Sequence, residues 1–249
     1  EIRQLEGHDP LGRDGQRHAH RYVAFDHSAR RMWAYAGTAE MDAYVAQVRC
    51  SPPAADPVPA ADVGVAHGRH SAEEYATLIE RCRAAIREGD AYQLCLTTRF
   101  RIEGDVDPVA AYRRLRRAIP AHHGGLIVSG DAGLVSASPE RFLEVADRVV
   151  RTRPIKGTRP LGPGMLEELD RSDKDRAELA MIVDLQRNDL GRVCEIGSVT
   201  VSEPRVIESH PTVYHGVATI EGTLRPGTGP GDVFRAAFPC GSITGCPKV

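Results

Sequence analysis

The sequence predicts an α+β fold built on antiparallel sheet. Short apolar runs separated by turn residues arrive in clusters, at 126–129 and 134–137 and again at 199–201, 205–207 and 214–224. Segments with helical periodicity precede and separate these clusters, over about 71–89, 107–118 and 173–189. The strict β-α alternation of a parallel, doubly wound sheet is absent. With 249 residues, 41% hydrophobic and 27% charged, the chain has the composition of a globular protein with a sizeable core. Its net charge of −2 gives no basis for binding nucleic acid or an acidic membrane surface. No apolar run is long enough to span a bilayer. Six scattered cysteines without a Cys-x-x-Cys pair argue against a disulfide framework or a zinc site and predict a reducing, cytoplasmic setting. The chain opens without a methionine and closes in a Gly-rich turn, which predicts a piece of a longer protein.

Residues 1–20 read as loop. Tyr22–Phe25 and Met32–Tyr35 read as strands joined by a turn, and Thr38–Arg49 as a helix. The Pro- and Ala-rich stretch 51–68 reads as a linker, so the expected division is 1–60 and 61–249. Ser71 with Glu74 forms a capping box, and Tyr75, Leu78, Ile79, Cys82 and Ile86 share one face of the helix that Gly89 stops. Ala91–Phe100 alternates as one strand, with Gln93, Cys95, Thr97 and Arg99 on its polar face. Asp107-Pro108 opens a second helix. After a loop through Pro160, Gly162, Pro163 and Gly164, Asp173 caps a long helix with a buried stripe of Leu179, Ile182, Val183 and either Gln186 or Leu185. A last helix spans Gly231–Ala237.

The ionisable residues worth following sit where strands give way to turns. Glu140 follows Pro139 at the close of an apolar run, and Lys156 lies sixteen residues on, just after Pro154. One strand out and one strand back would bring them to the same edge. Taken singly, each reads as a surface charge. Glu178, beside Met181 and Ile182, faces inward, where a carboxylate needs a cation or metal partner. His215 alone reads as a strand histidine satisfied in the core. The turn Gly241-Ser-Ile-Thr-Gly245 has backbone N–H groups suited to an anion, a weak signal by itself.

Five stretches together resemble the chorismate-utilising enzyme family. They are Ser138-Pro-Glu-Arg-Phe142, Pro154-Ile-Lys-Gly-Thr158, Asp175 to Gly191, His215, and Gly241-Ser-Ile-Thr-Gly245 with Pro247-Lys248. The resemblance runs from about Ser71 to Val249, with 1–60 matching only as the tail of a variable N-terminal region. It implies two large antiparallel sheets packed face to face with helices outside, and a catalytic domain over 61–249 that lacks its C-terminal segment. That segment would carry a second metal carboxylate and a substrate-gripping arginine.

The resemblance is strongest to the branch that forms 4-amino-4-deoxychorismate from chorismate and ammonia. Isochorismate and salicylate synthases carry a water-activating lysine where this chain has Gln93, and an amide cannot act as a base. Anthranilate synthases carry alanine where this chain has Lys156. By resemblance, Lys156 is the nucleophile at C2 of chorismate, and Glu140 is the acid that protonates the leaving C4 hydroxyl. Glu178 holds Mg²⁺, and Gln93, Gly157, Thr158, His215, Gly241, Ser242 and Thr244 line the substrate. Ammonia comes from a glutamine amidotransferase partner. The chain departs from the family at Cys240 and Cys246, where glycine and alanine are usual, and at Gly216-Val-Ala after His215. Those changes touch substrate fit, not the class of reaction.

Overall fold

The computed structural model describes residues 2–3, 22–26, 31–50 and 63–248. The N-terminal loop, most of the turn before Met32 and most of the linker fall outside them. The chain divides into two compact units, Glu1–Pro57 and Val58–Val249.

The first unit contains strands β1 (Ile2–Arg3), β2 (Tyr22–Asp26) and β3 (Arg31–Tyr35) in one three-stranded sheet, followed by a turn of 3₁₀ helix and α1 (Met41–Cys50). Its described core residues are Ala34 and Met41.

The second unit opens with β4 (His67–Gly68) and α2 (Ala72–Glu88). Helix α2 starts at the expected capping box and ends on Gly89 in the left-handed conformation. No residue of α2 is fully buried, so its apolar face, with Ile79 and Ile86, stays partly open. The single strand expected over 91–100 is broken. Only β5 (Gln93–Leu94) and β6 (Phe100–Arg101) are paired, and Tyr92 and Phe100 are exposed. Alternation shows which face a strand would bury but cannot show whether a partner strand is present to hydrogen-bond it.

Helix α3 (Pro108–Ala118) is capped by Asp107, whose carboxylate accepts from the N–H groups of Val109 and Ala110. Strands β7 (His123–Ser129) and β8 (Ala132–Ser138) form a hairpin. Then come β9 (Arg141–Ala146), β10 (Val149–Arg153) and β11 (Ile155–Pro160). The β9–β10 turn places Asp147 and Arg148 at positive φ, which suits a tight hairpin. Helix α4 (Met165–Arg171) occupies part of a stretch that reads as loop, because the Gly162-Pro-Gly164 cluster hides its start. Helix α5 (Asp173–Gly191) is capped by Ser172 rather than Asp173, the serine oxygen accepting from the N–H of Asp175. The remaining elements are β12 (Thr200–Ser209), β13 (Val213–Thr223), α6 (Pro230–Ala237), the single turn α7 (Gly241–Thr244) and β14 (Gly245–Cys246).

The fold is α+β, as the sequence predicts. Its one large sheet among the described residues has five strands, all antiparallel: β13 pairs with β12 along one edge and with β11 and β10 along the other, and β9 follows β10. Strands β10 and β11 together make one line along β13, in continuous register through Pro154 and interrupted by a bulge between Ile155 and Thr158, where Gly157 takes a positive φ. One face of this sheet packs on α5 and α6 through Val150, Ala218, Ile220, Leu179, Leu190 and Val233. The other face is polar. There Arg151 pairs with Glu221 at 2.7 Å, Arg153 with Glu208 at 2.6 Å, and Thr219 donates to Glu203 at 2.6 Å.

Candidate active site

The hairpin of β9 and β10 does what the sixteen-residue spacing suggests. Glu140 immediately precedes β9 and Lys156 is the second residue of β11, so both lie at the same end of the sheet. The α7 turn closes over them. Ser242 donates its hydroxyl hydrogen to Glu140 Oε1, and its carbonyl accepts from Lys156 Nζ at 2.9 Å. The second carboxyl oxygen of Glu140 accepts from the backbone N–H of Ile155 at 3.4 Å. No ion pair joins Glu140 to Lys156 directly. Burial pushes the Glu140 pKa above the usual carboxylate range; its hydrogen bonds and Lys156 oppose that rise without cancelling it.

Two cavities share the Pro139 corner. An apolar one of about 480 Å³ is lined by Ser138, Glu140, Phe142, Phe238 and Ile243. A polar one of about 440 Å³ is lined by His122, Arg141, Arg153, Glu208 and His210. Volumes of this order suit a small-molecule ligand.

The other expected site residues divide into those with an open polar group and those with a structural task. Gln93 pairs in register with Cys246, and its buried side-chain oxygen has no donor. His215 is buried, with Nδ1 2.9 Å from Thr158 Oγ1 and its ring 5.0 Å from that of His210. Burial, then the neighbouring His210, lowers its pKa, so the ring is neutral near neutral pH. Gly157 has φ of 85°, and a Cβ there would come within 2.8 Å of Leu169 and 2.9 Å of Asp175. Its role is therefore to let β11 approach the start of α5. A side chain at Gly241 would collide with Leu185. The Thr244 hydroxyl is spent on the carbonyl of Cys240 at 3.1 Å. In the 241–245 turn the N–H groups of Ile243 and Thr244 both return to the Cys240 carbonyl, so neither of these two is free for an anion.

Glu178 is on α5 with its side chain 34% exposed and 3.3 Å from Lys174. The fully buried acid of that helix turn is Asp175, held by Arg159 at 3.2 Å. Among the described residues no three His, Cys, Asp or Glu side chains gather as a metal cage. One half-exposed carboxylate fits Mg²⁺, which takes one or two carboxylates and keeps much of its water.

Sequence reasoning missed two neighbours of the site. Cys240 Sγ lies 3.1 Å from Ser242 Oγ, and Gln186 is the buried member of the Gln186/Leu185 alternative. At the far end, Lys248 reaches Asp189 at 2.5 Å and the Ala237 carbonyl at 2.7 Å, pinning the last turn to α5 and α6. Among the described residues no helix is long and apolar enough to cross a membrane.

Comparison with known proteins agrees with this layout. The chorismate binding enzyme family matches residues 11–249, further towards the N-terminus than the motifs alone suggest. An aminodeoxychorismate synthase of Streptomyces pristinaespiralis is 45% identical over 201 residues, 78% of this chain and 28% of that protein. Anthranilate synthase component 1 of Thermus thermophilus is 42% identical over 185 residues, 72% of this chain and 40% of that protein. The crystal structure of anthranilate synthase component I from Streptococcus pneumoniae superposes with a TM-score of 0.79 at 26% identity, covering 92% of this chain and 55% of that one. The chain thus spans well under half the length of these two sequence relatives. With its fold, its order of motifs and this match, the chain belongs to the chorismate-binding enzyme family.

Proposed function

We propose that the protein converts chorismate and ammonia to 4-amino-4-deoxychorismate, with residues 61–249 forming part of its catalytic domain. The observation that carries this reading is a lysine, Lys156, held by the same serine as the buried carboxyl of Glu140. Of the branches that the sequence resembles, the one with lysine at this position makes the 4-amino product. The relative from Streptomyces pristinaespiralis carries that activity in its name.

The substrate ring sits in the cavity that Glu140 lines. Lys156, as the free amine, adds to C2, while Glu140 gives its proton to the departing C4 hydroxyl. Ammonia then bonds to C4, and the Lys156 nitrogen leaves C2 with its electron pair. A buried carboxyl with a raised pKa supports the acid role, since it keeps its proton longer as pH rises. Gln93 offers an unpartnered amide oxygen that can accept from a substrate hydroxyl or from ammonia, but it cannot activate water. Thr158 and neutral His215, bonded to each other, would serve as hydrogen-bonding groups towards the substrate. Glu178 would hold Mg²⁺ in part, and the ion would supply positive charge against the ring carboxylate. A glutamine amidotransferase, as a separate subunit or a fused domain, supplies the ammonia, and the setting is cytoplasmic.

The second reading is anthranilate synthesis, favoured by the Thermus thermophilus relative at 42% identity. Product analysis of the full-length protein with chorismate, Mg²⁺ and ammonium separates the two. The expected product is 4-amino-4-deoxychorismate; anthranilate as the main product would overturn the assignment.

A further inference from the structure

Behind Ser242 runs a chain of buried polar side chains that the reaction as described does not use. Thr152 Oγ1 donates to Gln186 Oε1 at 3.1 Å, and Gln186 Nε2 donates to Cys240 Sγ at 3.8 Å. Cys240 Sγ is 3.1 Å from Ser242 Oγ and 4.0 Å from Glu140 Oε1. Ser242 in turn donates to Glu140. The four supporting residues are 3%, 4%, 8% and 6% exposed, so bulk water does not compete for these bonds.

The direction of the chain follows from counting hydrogens. A serine hydroxyl has a single hydrogen, and here it is committed to Glu140. The contact between Ser242 Oγ and Cys240 Sγ therefore needs the thiol as donor. The Gln186 amide presents its NH₂ to the sulfur, so the sulfur accepts on that side. Every hydrogen from Thr152 onward then points towards Glu140. Reversing the Ser242–Cys240 bond would take the serine hydrogen away from Glu140 and leave the thiol only the longer 4.0 Å contact to Glu140 Oε1 as an acceptor.

We propose that Cys240 is a positioning residue for Glu140: its thiol hydrogen-bonds Ser242 and orients that hydroxyl onto the carboxyl, with Gln186 and Thr152 fixing the thiol. Bonds in such a chain polarise one another, so the chain favours the ionised carboxylate, while burial favours the protonated one. The other charged groups facing this corner are Lys156, bound to the Ser242 carbonyl, and the Asp189–Lys248 pair behind Gly241. This inference rests on the reading of Glu140 as the acid, but its first test does not.

That test is the S–H stretching band of Cys240 in the infrared spectrum of the full-length protein, assigned by its loss in Cys240→Ala. The band should shift in Glu140→Gln at fixed pH, because the amide changes what Ser242 donates to. A band indifferent to Glu140→Gln would show that the thiol does not donate into Ser242 and would end the proposal, whatever reaction the protein catalyses. The second test is the pH profile of kcat/KM for aminodeoxychorismate formation. Loss of the thiol donor weakens support for ionised Glu140, so the basic limb in Cys240→Ala should move up by about 0.5 unit. Cys240→Ser, which keeps a donor, should restore it. A basic limb unmoved in Cys240→Ala would overturn the positioning role.

Discussion

Glu140 and Lys156 meet through Ser242 and not through each other: the carboxyl accepts from the serine hydroxyl, and the lysine nitrogen donates to the serine carbonyl. A direct ion pair would hold the acid ionised and the nucleophile protonated, silencing both. Placing a neutral residue between them keeps the two within one site while leaving each free to exchange a proton.

Lys156→Ala should abolish the covalent adduct with chorismate seen by intact-protein mass spectrometry of the full-length enzyme. Residual product should shift towards anthranilate, since by the family resemblance alanine is the residue of the anthranilate branch at this position. Wild-type turnover with an unchanged product would show that the lysine is not the nucleophile.

Glu140→Gln should lower kcat by about 10²–10⁴-fold, the range for loss of a general acid, with substrate binding little changed. It should also stabilise the fold at neutral pH. A carboxyl whose folded pKa is raised binds its proton more tightly folded than unfolded, so its contribution to stability falls as pH rises from the unfolded towards the folded pKa. The amide carries no such titration. Thermal melts of both proteins across that range should diverge with rising pH, the variant melting higher; coincident melts would sink this account.

Lys248→Ala should cost about 3–5 kcal/mol, because it leaves Asp189 buried without its cation. Burial already raises the Asp189 pKa, so the orphaned carboxyl should take up a proton more readily still. Pairing the change with Asp189→Asn should recover much of the loss, which denaturant titration of single and double variants measures.

Gly157→Ala should destabilise by at least about 1–2 kcal/mol from the left-handed backbone alone. The clash with Leu169 and Asp175 adds to that and pushes β11 off α5. The affinity for substrate should fall with stability, because Lys156 and Thr158 flank the same residue.

Much of this was readable in the sequence where the signal is local. The Ser71–Glu74 box and Gly89 bound α2 because capping uses groups within one turn. The convergence of Glu140 and Lys156 followed from strand arithmetic. Non-local facts were not readable. The apolar alternation from Tyr92 to Phe100 suggested a strand, yet pairing requires a neighbour, and only Gln93–Leu94 and Phe100–Arg101 have one. Choosing Gln186 over Leu185 needed the facing strand, since it is Thr152 on β10 that gives the amide its partner. Cys240 registered only as a departure from a motif, because nothing near it in the chain reveals that it touches Ser242 and Gln186.

The bond from Ser242 to Glu140 spans 102 residues and that from Lys156 to Ser242 spans 86. During synthesis, the strand carrying the acid and the strand carrying the lysine leave the ribosome long before the turn that organises them. Loop closure of that size slows assembly, and contacts between distant residues form late. The nascent chain therefore holds an unassembled carboxyl and amine, and the reactive arrangement arises only after the sheet is built and the 241–244 turn is docked.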